Sequence, residues 1–320
     1  MPDIVVMFFI LGLVAGLLRS DLSIPKAAYD TLSLLLMLTI GLKGGMALHG
    51  SISWSLALEL LSVAAIGGLL PLLIVPALSK FAGLDLTNAA SLAAHYGSVS
   101  AGTFAVVLSY AMTNNLAFAP QVTLYLVMLE LPAILVSILL YRKLSEKNHA
   151  AVKVDKKAQI ALWHETFTNR GVILLVGGVI IGWMYGPQNG AGVTELLTGA
   201  FKAVLALFLL EMGLTAAETL RPIPWDKWKL LVFALIAPPI MASFGGALTL
   251  ALGLSAGSAL ILATLVASSS YIAAPAAIRT AIPKADIGLA MLLSLGLTFP
   301  FNVIIGIPLY DSALQFVMNQ

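Results

Sequence analysis

Long apolar stretches recur along the whole chain, and short polar segments separate them. A hydrocarbon core about 30 Å thick needs about 20 residues of helix to cross it, and the apolar stretches approach or exceed that length. The stretch LLSVAAIGGLLPLLIVPAL is apolar on every side, whereas a membrane-spanning β-strand alternates apolar and polar positions over about ten residues. The pattern therefore predicts an all-α membrane protein whose helices span the bilayer.

The boundaries of the apolar stretches predict ten spans, with each end placed to within about four residues. They cover residues 3–18, 25–48, 52–79, 86–112, 120–141, 171–186, 193–217, 228–252, 256–282 and 285–310.

The positions of the cations test this count, because Lys and Arg concentrate in cytoplasmic loops. Of the 17 Lys and Arg residues, only Lys43 and Lys202 lie inside predicted spans more than four residues from a span end. If the N-terminus lies outside, all the others fall in cytoplasmic loops or at cytoplasmic span ends. The asymmetry predicts a multi-pass protein of a bacterial inner membrane with both termini in the periplasm.

The tryptophans near span ends are expected to act as interfacial anchors, namely Trp54, Trp163, Trp183, Trp225 and Trp228.

The longest polar stretch, residues 143–170, divides the chain into a first half, 1–142, and a second half, 171–320, of five predicted spans each. This stretch is expected to be a cytoplasmic linker with a short amphipathic segment held against membrane lipids by its lysines.

The two halves resemble each other weakly. Three matches occur in order at nearly one offset: 40–43 with 212–215, 97–99 with 270–272, and Pro132 with Pro300. Repetition at a constant offset indicates a duplicated unit. Because five is an odd number of spans, the second repeat would be inverted relative to the first, an arrangement typical of alternating-access transporters.

Composition narrows the function classes. The chain is 60% hydrophobic and 10% charged, with mean hydropathy +0.99 and net charge +2, which argues against an ordinary soluble domain and against nucleic-acid binding. The absence of cysteine excludes disulfides, thiol catalysis and cysteine-ligated metals. Because no enzyme or nucleotide motif occurs either, we expect a non-enzymatic transporter without cofactors and without a transition metal.

Predicted helices four and nine are both interrupted by Gly, Ser or Pro at corresponding places. Interrupted segments at matching positions of two repeats point to a transporter's ligand site, and each restarted half-helix offers free N–H groups and a positive dipole end to an anion. The two breaks are expected to cross near the membrane midplane. Small residues that merely allow close helix packing are the alternative. The predicted substrate-binding residues are Gly97, Ser98, Val99, Ser100, Ala101, Gly102, Thr103, Ser268, Ser269, Ser270, Tyr271 and Ala274.

Ionisable residues inside spans are functional candidates by default. Glu130 beside Pro132 is predicted to bind a cation or to titrate, with hydroxyl oxygens of Ser98, Thr103 and Ser270 completing a cation site.

The other ionisable residues carry weaker predictions. Lys43 is expected either to extend toward the external interface or to mark a bend of helix two. Structural pairing or placement near an interface is expected for Glu59, Lys202 and Glu211. His95 is expected to pack with a hydrogen bond, the alternative being that it binds substrate or titrates.

Several segments carry a family resemblance, namely IGLKGGMAL, HYGSVSAGTF, LELPAI, ASSSYIAAPAAIRTAIP and FPFNVIIGIPLY. They resemble the sodium-dependent bicarbonate permease family of cyanobacteria and other bacteria. The resemblance implies a sodium-bicarbonate symporter with two inverted repeats, a substrate-bearing core that moves against a gate domain, a homotrimer, and ligand in 97–103 and 268–275. Some members bind a PII-type regulatory protein, for which this sequence offers no support. The chain departs from the family at Tyr271, where the family has an aspartate, and at Ala101 and Gly102.

The sequence thus predicts a secondary active transporter that imports bicarbonate with sodium by elevator-like alternating access. One alternative is a proton- or sodium-coupled carrier of another small anion, such as a monocarboxylate. A second alternative is an anion channel whose broken helices line a pore.

Overall fold

The computed structural model describes residues 3–50, 53–147, 168 and 170–318. Every regular element among them is helical. The helices of the first half are α1 (Ile4–Leu17), α2 (Lys26–Leu48), α3 (Trp54–Ala77), α4 (Leu86–Gly97), α5 (Ala101–Thr113) and α6 (Val122–Lys147). Those of the second half are α7 (Arg170–Asn189), α8 (Ala191–Gly199), α9 (Phe201–Thr219), α10 (Trp228–Ala251), α11 (Ala256–Val266), α12 (Ala273–Ala281) and α13 (Ile287–Met318).

By length and composition, six helical segments of the described chain could cross a membrane, and seven if α8 and α9, bent by 44°, count as one. The short apolar helices α1 and α11 fall below the length of a full span. The ten-span inverted repeat stays a prediction. Most of the predicted linker, including Trp163, lies outside the described residues.

Two helix ends differ from the predicted spans by more than the expected margin. Helix α6 continues to Lys147 and α13 to Met318, whereas the predicted spans end at 141 and 310. The difference arises because apolarity marks where a chain leaves lipid, while a helix continues as long as its backbone hydrogen bonds do. The bend between α8 and α9 was also not predicted.

Glycines bring α1 against α9 and α2 against α7. A Cβ on Gly12 would overlap the Leu210 carbonyl oxygen, and one on Gly213 would overlap that of Phe9. On the other pair, a Cβ at Gly45 would overlap the Val179 carbonyl oxygen. Such backbone contact is how small residues hold helices together in lipid. We call α1, α2, α7 and α9 the glycine-packed unit.

The remaining long helices pack around the two breaks in the chain. Helix α3 packs on α4 and α6, and α11 packs on α10 and α13. The apolar window of Leu86–Thr113, which contains the first break, is 94% buried. We call α3 to α6 and α10 to α13 the site-bearing unit. Its interior encloses irregular backbone, which lipid contact would not tolerate.

Helix α3 is also tied to α6 by a carboxylate. Glu59 accepts a hydrogen bond from the Tyr125 hydroxyl. Gln121 Nε2 donates to both Glu59 carboxylate oxygens, at 3.2 Å to Oε1 and 3.1 Å to Oε2. Tyr125 is fully buried. The predicted structural pairing of Glu59 is confirmed.

Candidate functional site

The first break lies between α4 and α5. Helix α4 makes its last backbone bond from Ser98 N to the Ala94 carbonyl at 3.3 Å, after which Ser98 is extended. Ser100 then begins α5, because its Oγ accepts from Thr103 N at 3.0 Å. A serine in this position satisfies a free N–H of the first turn. The break is therefore a capped helix start.

The second break lies between α11 and α12. Ser270 Oγ accepts from Ala274 N at 3.1 Å, and Pro275 stands in the first turn of α12, where a missing N–H leaves no bond unmade. Asn302 of α13 donates to the Ala267 carbonyl at 2.9 Å. It comes from a π-helical turn of α13, Asn302–Gly306, and so satisfies a carbonyl that α11 leaves open.

Two hydrogen bonds join the breaks directly. Ser100 N donates to Ser268 Oγ at 3.0 Å, and Ser270 N donates to the His95 carbonyl at 2.7 Å. All four residues are buried. The two breaks, which were predicted to cross near the membrane midplane, are thus in direct contact; their depth in the membrane stays a prediction.

A cavity of about 200 Å³ lies beside the joined breaks. Five predicted substrate-site residues line it, namely Val99, Ser100, Ala101, Ser270 and Tyr271, and so does Glu130. Its other walls come from α2, α6, α7 and α12. The cavity thus lies between the site-bearing unit and the glycine-packed unit.

The remaining predicted site residues do not line this cavity. Gly97 packs against Pro71 and Ala133, where a Cβ would lie 2.9 and 3.2 Å from their side chains. Ser268 joins the breaks, and Ser269 Oγ makes only a 3.5 Å contact to the Ser294 carbonyl. The others, Ser98, Gly102, Thr103 and Ala274, lie within two residues of a lining residue in the sequence.

Several polar atoms around the breaks lack a partner among the described residues. Ser98 Oγ and Thr103 Oγ1 are buried without a hydrogen bond, and the phenol proton of Tyr271 has no acceptor. The N–H groups of Ala101 and Gly102 belong to the first turn of α5, where the helix itself supplies no acceptor. Because orphaned buried polar groups carry a free-energy cost, their concentration here indicates a place where a polar ligand is received.

Arg170 and Ser33 also line the cavity, and neither was predicted. Arg170 pairs with Asp30 at 3.1 Å, with about half of its side chain exposed. In the sequence Arg170 reads as an ordinary loop cation, and Ser33 as one hydroxyl in an apolar helix. The repeat pattern that revealed the breaks has no counterpart for either residue.

His95 Nδ1 lies 2.8 Å from the Ser91 carbonyl, and because a carbonyl only accepts, Nδ1 carries the proton. The ring is fully buried and does not line the cavity, which agrees with the predicted packing role.

In the described chain no three His, Asp or Glu side chains cluster in a way that suits a metal ion. Sodium at this site would therefore depend on hydroxyl and carbonyl oxygens with Glu130.

A second polar cluster surrounds the end of α5, and we call it the Thr113 cluster. Thr113 Oγ1 donates to Asp3 Oδ2 at 3.1 Å and accepts from Lys202 Nζ at 2.9 Å. Lys43 Nζ lies 3.8 Å from Met112 Sδ and 5.1 Å from the centroid of the Phe201 ring. Three helices of the glycine-packed unit thereby hold the last turn of α5, and the cations face the negative end of its dipole.

Comparison with known proteins adds one match. A family model described as the Na+-dependent bicarbonate transporter superfamily matches residues 4–315. No curated protein matches the chain.

Proposed function

The chain belongs to the Na+-dependent bicarbonate transporter superfamily, a family of transporters and not of enzymes, and on this premise we propose that it carries bicarbonate together with sodium at the joined breaks. Family and apolar helices together make it a multi-pass membrane protein that transports bicarbonate. The coupling, the site and the mechanism are the proposed part.

The observation that carries the anion site is the convergence of two helix starts on one cavity. Ala101 of α5 and Ala273 of α12 both line it. Helix N-termini attract anions through free N–H groups and the positive end of the dipole. Bicarbonate would bind there with its oxygens toward the N–H groups of Ala101 and Gly102.

Sodium would neutralise the anion from the same cavity. Glu130 offers a carboxylate in the cavity wall, while Ser98 and Thr103, next to the lining residues, offer hydroxyl oxygens without other partners in the described chain. Hard cations prefer such oxygen ligands. Because an isolated charge is costly to carry through a medium of low dielectric constant, each ion would bind better when the other is present, which couples their movement.

Alternating access would be a movement of the site-bearing unit against the glycine-packed unit. The cavity lies between the two units, and the Thr113 cluster closes them at the far end of α5. The pairing of helices between the halves supports inverted repeats, because α1 of the first half packs on α9 of the second and α7 of the second half packs on α2 of the first.

The charge asymmetry of the loops supports both termini in the periplasm of a bacterial inner membrane. In that orientation Arg170 marks the cytoplasmic mouth of the cavity, and the Thr113 cluster faces the periplasm. The homotrimer is proposed from the family resemblance alone.

Uptake of labelled bicarbonate into proteoliposomes tests the proposal, with an inward sodium gradient compared against equal sodium on both sides. Accumulation should require the gradient. Ser270→Ala, which leaves the first-turn N–H of Ala274 without its acceptor, should reduce uptake. Ser243→Ala should not, because Ser243 Oγ bonds only the Ile240 carbonyl of its own helix. Rapid uptake that is independent of the sodium gradient would indicate a channel and contradict the proposal.

Glu130 in the cavity favours one second candidate, a proton-coupled carrier of another small anion. Uptake driven by an inward proton gradient in sodium-free buffer would select this candidate.

A further inference from the structure

Tyr271 occupies the junction of the two breaks. It is 6% exposed and lines the cavity. A Cβ on Gly102 would overlap the Tyr271 hydroxyl, so this hydroxyl lies directly against the first turn of α5. Only glycine leaves room for it there.

The Ser100 side chain lies near enough for its O–H to donate to the Tyr271 oxygen, whereas the phenol proton has no acceptor among the described residues. Ser100 Oγ is already engaged as the acceptor for Thr103 N. The neighbouring groups at the start of α5 are the N–H groups of Ala101 and Gly102, which are donors. A phenol hydroxyl beside free N–H groups needs an acceptor. An oxyanion in the cavity would supply this acceptor and would accept from the N–H groups of α5 as well.

Aromatic rings fix the position of this hydroxyl. The Tyr271 ring meets Phe299 edge to face at 5.3 Å between centroids, and a Cβ on Gly102 would lie 3.3 Å from both Phe208 and Phe299. Phe208 in turn stacks on Tyr29 at 5.5 Å. Rings that hold a donor in place avoid the entropy loss of ordering it when the ligand binds. They also limit the space above Gly102.

We infer that Tyr271 is the specificity-determining residue of the anion site: its hydroxyl donates to one oxygen of a small planar oxyanion, and its ring excludes anions that carry an additional carbon group. The inference rests on the proposed function for the location of the site. It assigns the class of anion independently of how transport is driven.

Binding of four sodium salts, bicarbonate, nitrate, formate and acetate, tests the inference at constant sodium concentration. Thermal stabilisation of the detergent-solubilised protein measures affinity without requiring transport. Tyr271→Phe keeps the ring and its contact with Phe299, and should weaken binding of the preferred anion about 10- to 100-fold, the effect of losing a hydrogen bond to a charged group. Tyr271→Ala should raise the affinity for acetate relative to the affinity for the preferred anion.

The matched control is Tyr310→Phe. Tyr310 is also a buried tyrosine, but its hydroxyl donates to Asn302 Oδ1 at 2.8 Å, away from the cavity. The Tyr310→Phe substitution should therefore leave the anion preference unchanged. Equal affinity of Tyr271→Phe and wild type for the preferred anion would overturn the inference, as would unchanged acetate discrimination in Tyr271→Ala.

The two proposals fail differently. If nitrate or formate, but not bicarbonate, stabilises the wild type, and Tyr271→Phe abolishes that effect, bicarbonate transport is contradicted while the role of Tyr271 stands. If none of the four anions stabilises the wild type although bicarbonate uptake is sodium-driven, the transport proposal stands and the inference is overturned.

Discussion

Replacing Ser268 with alanine should separate the two breaks. Ser268 Oγ accepts from Ser100 N at 3.0 Å and donates to the Leu265 carbonyl at 2.7 Å, and the residue is fully buried. Alanine leaves the Ser100 N–H buried without an acceptor, which costs about 1–3 kcal/mol. At about 2 kcal/mol, the population with separated breaks rises about 30-fold.

The control is Ser137→Ala in α6. Ser137 is equally buried, but its Oγ bonds only the Ala133 carbonyl one turn earlier in the same helix. Losing such a local bond leaves no N–H unpaired. Unfolding in mixed micelles of increasing SDS content, without bicarbonate, measures both variants. Equal stability of Ser268→Ala and wild type, or a larger loss in Ser137→Ala, would refute the argument that the bond between the breaks stabilises them.

Three further expectations follow. Glu130→Gln keeps the shape of the side chain but removes its charge, so the sodium dependence of uptake should weaken while the amount of protein in the membrane stays normal; unchanged sodium dependence would make Glu130 structural. Tyr125→Phe should lower the free energy of unfolding by about 1–3 kcal/mol, because Glu59 then keeps only Gln121; an unchanged SDS midpoint would contradict this. A reporter fused after the C-terminus and active only in the periplasm should be active, and activity of a cytoplasm-only reporter would reverse the orientation.

The breaks could be predicted from sequence because their chemistry is local. Serines, a first-turn proline and glycines stand together in short segments, and the second half repeats the position of the first. In the structure Ser100 and Ser270 accept from first-turn N–H groups of α5 and α12, a role that was not predicted for them. Which of the clustered residues would face the cavity could not be predicted, because a helix rotation of about 100° per residue separates Ala101 from Gly102.

Partners from distant elements could not be predicted either. The Thr113 cluster joins Asp3, Lys43 and Lys202, which are far apart in the sequence, and the ion pair of Arg170 with Asp30 spans the two halves. Such contacts depend on how helices are arranged in three dimensions. Helix ends such as Lys147 were missed for a different reason, since hydropathy describes contact with lipid and not the backbone.

The two glycine crossings have a consequence for chain integrity. Each pairs a helix from residues 3–147 with one from residues 170–318, α1 with α9 and α2 with α7, and the backbones touch at Gly12, Gly213 and Gly45. Neither fragment of a chain severed between 148 and 167 can bury these glycine faces alone. The fragments should therefore copurify as a tight heterodimer when coexpressed, and each should be degraded when made without the other.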